Sequence, residues 1–175
     1  MSETYVLKET ITEERLVSPD EQNRSTMESL IVVFIVFLLI LIVANNPNAS
    51  YFSLTLPSWA PTLFTWAVLF VLILFFAGYA AGKIKTEAGE EYGGAFRLGF
   101  WAILILVLIS VFLIFRQNNY RAAFWLALIA FILVLIVIFS FWNKSRGGAA
   151  WMIPLALGLV FYMAEVWNIV SLNNL

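Results

Sequence analysis

Five long apolar stretches, separated by short polar or Pro/Gly-containing breaks, fill most of residues 28–170. A helix needs about 20 apolar residues to cross a bilayer core, with about 17–25 tolerated. Segments 28–44, 62–82, 98–115, 122–142 and 149–170 meet that length. Lipid offers the backbone no hydrogen-bond partner, so each segment must satisfy its own N–H and C=O groups as a helix. The expected fold is an all-α membrane protein, a bundle of five transmembrane helices held in the lipid bilayer.

Composition narrows what such a bundle can do. Apolar residues make up 62% of the chain and charged residues only 12%, which excludes an ordinary soluble domain. The charges gather in the N-terminal arm, in loops and at helix ends, with Glu165 alone well inside a span. No basic face exists to neutralise phosphates, so no nucleic-acid partner is expected. The chain has no cysteine and no histidine. It therefore lacks a thiol nucleophile, an imidazole base, a His/Cys metal site and the usual axial ligand for haem. No catalytic residue, metal site or required cofactor is expected, and an enzyme is disfavoured.

Residues 1–27 are acidic and polar, carrying Glu3, Glu9, Glu13, Glu14, Asp20 and Glu21. They lack the positive start and apolar core of a signal peptide. They read as a disordered cytosolic arm, or as a docking tail for a protein partner. Ser25, Thr26 and Glu28 form a cap region for the first span of a membrane domain covering residues 28–175. Lys and Arg set the orientation. The N-terminal side of the bundle would carry Lys8, Arg15, Arg24, Lys83, Lys85, Arg97, Lys144 and Arg146, and the other side only Arg116 and Arg121. That bias puts the N-terminus in the cytosol and the C-terminus on the opposite side.

The first loop, residues 45–61, is long and uncharged, with turn formers followed by aromatic and apolar residues. Such a loop is expected to pack over the bundle. Its Asn48-Ala49-Ser50 triplet is a glycosylation sequon, a weak signal because the same pattern recurs at Asn23 and Asn143. The loop ends in Pro57-Ser58-Trp59-Ala60-Pro61. Trp59, Trp66 and Phe70 follow at i, i+7 and i+11, a single helical face on which a flat apolar ligand could stack. The competing reading is an aromatic belt, because all seven tryptophans lie near helix ends. In the fifth span Trp151, Pro154, Gly158, Phe161, Glu165 and Asn168 form a stripe expected to face the bundle. A carboxylate inside a membrane is costly and marks a functional candidate; alternatively, Glu165 reaches the nearby interface. Gly78-x-x-x-Gly82 and Ala95-x-x-x-Gly99 are small-residue patterns for close helix packing, within the bundle or across a homodimer.

Two segments carry a resemblance. One is Pro57–Pro61. The other runs from Phe141-Trp142-Asn143-Lys144 through Ala149-Ala150-Trp151 to Pro154 and closes at Ile169, Leu172 and Asn173. Together they resemble the TspO/translocator-protein family, the tryptophan-rich sensory proteins, known for a Pro-x-Trp-x-Pro entry to the second helix. The resemblance implies a pocket inside the bundle, covered by the first loop. It implies binding of porphyrins or other tetrapyrroles, or of sterol-like molecules, for sensing, transport or scavenging. The positions that match the motif are Trp59, Pro61, Phe141, Ala149 and Pro154. The chain departs from the family pattern at Thr62, Ala67 and Val68, at Ala102, Leu106 and Ile109, and at Leu155 and Gly158. Those departures define an alternative: a structural membrane protein that kept the fold, lost the ligand site and acts through protein partners.

Overall fold

In the computed structural model the described residues are 19–46, 50–88 and 90–175. Helix α1 spans Pro19–Ala44, and a 3-10 turn at Ser50–Ser53 follows within the first loop. Helices α2 (Leu63–Glu87), α3 (Glu90–Gln117) and α4 (Tyr120–Phe141) come next. The chain closes with a short α5 (Arg146–Trp151) and α6 (Ile153–Asn173). Five segments are long and apolar enough to cross a membrane, the fifth being α5 and α6 taken together. The protein is an integral, multi-pass membrane protein.

Helix starts follow local chemistry. The Thr62 hydroxyl accepts from the Thr65 N–H at α2, the Asn119 side chain from Ala122 at α4, and the Ser145 hydroxyl from Gly148 at α5. Each satisfies a donor that has no intrahelical acceptor. Pro154 sits in the first turn of α6, where its missing N–H breaks no hydrogen bond.

Around the bundle, α1 packs against α2 and α3, α3 against α4, α4 against α6, and α6 back against α2. This closes a ring. Small residues bring the helices together. A Cβ on Gly82 would lie 2.5 Å from the Thr26 Cα, and one on Gly78 3.0 Å from Leu30 Cδ2. The Gly78-x-x-x-Gly82 pattern therefore packs α2 onto α1 within one chain. The second pattern is looser: Ala95 is exposed, and a Cβ on Gly99 would meet only Val137 of α4, at 3.7 Å. Ala123, Ala127 and Ala130, all fully buried, seat α4 between α3 and α6.

Two expectations about boundaries are corrected. Residues 19–27, assigned to a disordered arm, are the first turns of α1, where Glu28 pairs with Arg24 at 3.4 Å and with Lys85 of α2 at 2.7 Å. Residues 1–18 of the arm and Asn48 of the sequon lie outside the described residues. The span 149–170 is two helices rather than one, with Met152 at the break ahead of Pro154.

Candidate ligand-binding site

At the end of the bundle that carries the first loop, α1, α2, α3 and α6 enclose a cavity of about 500 Å³. This volume lies in the range of small-molecule sites. Phe37 and Ile40 of α1, Trp66 and Phe70 of α2, and Ile114 and Phe115 of α3 give it largely apolar walls. Tyr162, Glu165, Val166 and Ile169 complete it from α6, with Tyr51 and Phe52 above.

Glu165 is 2% exposed. A carboxyl so placed requires hydrogen-bond partners, since burying it bare costs several kcal/mol, of the order of ~2–7 even for a neutral polar group. The Tyr51 hydroxyl donates to Glu165 Oε1 at 2.9 Å, and Trp66 of α2 lines the same cavity. Burial, and then the adjacent carboxylate, push the Tyr51 phenol above its ordinary range, which keeps it a neutral donor. Three residues apart on α6, Tyr162 makes a separate network. The Ser110 hydroxyl donates to the Ala123 carbonyl at 2.9 Å, so its 2.9 Å bond with the Tyr162 hydroxyl is donated by the tyrosine.

The described residues of the first loop are tied down at several points, as the loop's composition led one to expect. Asn46 Nδ2 donates to the Phe115 carbonyl at 2.7 Å, and the Tyr51 ring packs on Phe115 with centroids 5.3 Å apart. Further on, Thr55 and Asn173 exchange two bonds of 3.0 Å, joining the loop to the end of α6.

Among the residues singled out from the sequence, the cavity gathers Trp66, Phe70 and Glu165. Trp59 lies four residues before α2 begins, so it does not share a helical face with Trp66 and Phe70. It reaches the site edge indirectly: Trp59 and Trp66 both pack on Phe161, at 5.2 and 5.4 Å between centroids. Pro61 precedes the Thr62 cap and holds the entry to α2. Phe141, Ala149 and Pro154 stand towards the other end of the bundle. Phe141 packs edge-on against Phe96, Ala149 is fully buried in α5, and Pro154 starts α6. These three positions are scaffold, not cavity wall.

The α6 stripe faces the bundle, along one neighbour. Trp151 stacks on Phe76, Gly158 meets Ile73, and Phe161 meets Trp66, so the stripe lies along the α2 seam. Only Glu165 of that stripe enters the cavity. The interfacial alternative for Glu165 falls with its burial. Six tryptophans are exposed, as an aromatic belt requires, and Trp66 is the one turned inward. Val68 and Ile109 face outward and Leu106 packs on the core, so those three departures leave the cavity lining untouched; Ala67 alone of the departures belongs to it.

Tyr51, Tyr162 and Phe37 were missed by sequence reasoning. Tyr162 was within reach, since it sits three residues before Glu165 on one helix. Tyr51 was not, because its partner is 114 residues away.

No match to the chain is found among curated proteins. The family model described as TspO/MBR matches residues 29–172, from the membrane part of α1 to the last turn of α6. That match takes in all five spans, the first loop and every wall of the cavity. The chain belongs to the TspO/MBR family.

Proposed function

We propose that this protein binds a hydrophobic, planar small molecule in the loop-covered cavity, of the tetrapyrrole or sterol-like kind, for sensing, transport or scavenging. The observation that carries the reading is a cavity of about 500 Å³ with aromatic and aliphatic walls and one buried carboxyl. Burying a flat apolar molecule against such walls supplies most of the affinity through the hydrophobic effect and ring contacts. Free porphyrin needs no axial histidine, so the absence of histidine does not oppose it.

The test is a titration of detergent-purified protein with protoporphyrin IX, following intrinsic tryptophan fluorescence. Saturable quenching at low micromolar ligand is expected, and Trp66→Ala should weaken it because Trp66 is the tryptophan in the cavity wall. Absence of saturable quenching, with helices intact by circular dichroism, would overturn the reading. The alternative would then stand: a membrane protein acting through a homodimer or through a protein partner of residues 1–27.

A further inference from the structure

The polar side chains at the inner wall of the cavity are already hydrogen-bonded. The Tyr51 hydroxyl goes to Glu165, and the Tyr162 hydroxyl goes to Ser110. Asn46 gives its amide to the Phe115 carbonyl, and Asn45 is exposed at the loop edge. What remains inside is acceptor capacity. An ionised carboxylate offers about four acceptor sites, and the Tyr51 hydroxyl is aimed at one oxygen of Glu165. Tyr162 keeps lone pairs on its oxygen after donating. No Lys or Arg lines the cavity, and among the described residues Glu165 forms no ion pair. A buried intramembrane carboxyl is thus held by the Tyr51 hydroxyl and left without a basic partner in the cavity wall.

The geometry points to a cavity that selects for ligands presenting a hydrogen-bond donor, best a protonated amine, to Glu165 at its inner wall. The inference rests on the proposed ligand-binding reading and narrows it to flat apolar amines. An ammonium group satisfies acceptor sites that Tyr51 leaves open and holds Glu165 as its carboxylate counter-ion in a low-dielectric setting, where a charge-assisted bond is strongest. A neutral alcohol of the same shape gains the apolar burial and one ordinary bond. A carboxylate would set a second acid beside Glu165, with no Lys or Arg in the cavity wall to offset it. A porphyrin bearing carboxylates would accordingly keep its acidic edge away from Glu165.

The experiment compares three probes of one shape: pyrenylmethylamine, pyrenylmethanol and pyrenecarboxylate. Each is titrated into the full chain in dodecyl maltoside, with energy transfer from tryptophan to pyrene as the signal. Binding of the amine should be about tenfold or more tighter than that of the alcohol, the gain of one charge-assisted bond over a neutral one, and the carboxylate should bind weakest. In Glu165→Gln the amine-to-alcohol ratio should fall to about one. Equal affinities for amine and alcohol in the native protein would overturn the inference by themselves, whatever the fold of the variant, and leave the ligand-binding reading standing. A ratio that persists in folded Glu165→Gln would also overturn it, tracing the preference to detergent. If no probe binds saturably, both the inference and the reading beneath it fail.

Discussion

Glu165 and Tyr51 show how a single pair can tie a loop to a helix inside a membrane protein. Their bond spans 114 residues of chain and closes the cavity from above. Removing the hydroxyl in Tyr51→Phe leaves the buried carboxyl one donor short, a cost of about 1–3 kcal/mol. The midpoint of thermal unfolding, followed by circular dichroism in detergent, should drop by several degrees; an unchanged midpoint would show that the pair contributes nothing. Glycines give a second contrast at this scale. At Gly82 an added Cβ would strike the Thr26 backbone at 2.5 Å, whereas at Gly158 the 2.5 Å contact is with Ile73 Cδ1, the movable end of a side chain. Gly82→Ala should therefore destabilise by about 1–3 kcal/mol through overpacking. Gly158→Ala should be close to neutral, because a shift of Ile73 offsets the gain of about 1 kcal/mol in helix propensity. Equal thermal midpoints for the two variants would refute the distinction.

The elements that matter most are the first loop and the α5–α6 break. The loop was expected to lie over the bundle because it is uncharged and apolar, and its anchors at Asn46, Tyr51 and Thr55 place it there. Asn173→Ala removes both bonds to Thr55. Faster amide hydrogen exchange should follow in peptides covering residues 50–61, with α3 and α4 unaffected; unchanged exchange would mean that Asn46 and Tyr51 hold the loop without Thr55. The break at Met152 was hidden by continuous hydropathy, since Trp151 and Met152 are as apolar as their neighbours. Pro154 was the available sign, because proline is tolerated in a first turn and disruptive deeper in a helix. The same break explains why Ala149 and Pro154 lie away from the cavity. They set the angle at which α6 leaves α5, so their motif match reports scaffold geometry.

For the molecule as a whole, the ring of helices opens into the candidate cavity at one end, and the more tightly packed other end keeps a smaller cleft of about 250 Å³ beside Glu28 and Lys85. Large buried side chains such as Leu74, Ile84, Ile103 and Leu104 fill the packed part. Orientation is a prediction from charge: the Lys/Arg bias leads one to expect the end with Lys83, Lys85, Lys144 and Arg146 in the cytosol. The chain has no native cysteine, so single-cysteine variants report orientation without background. Lys144→Cys should react with an impermeant maleimide only from the cytosolic side, and Leu175→Cys only from the other. The reverse pattern would invert the topology and place the cavity on the cytosolic side.

The number of spans, the membrane class and the family were written in the chain itself. Each depends on local quantities, namely apolar length between breaks, charge placement and a short proline–tryptophan text. Lipid enforces those quantities segment by segment because it cannot hydrogen-bond a bare backbone. Which aromatic residues meet a ligand was decided only in three dimensions. Trp59, Trp66 and Phe161 look alike in sequence, yet only Trp66 lines the cavity. The same holds for Tyr51, whose role exists only because the loop folds back onto α6. Facing inward depends on where each side chain points relative to helices brought together from distant parts of the chain, and periodicity along one helix does not contain that information.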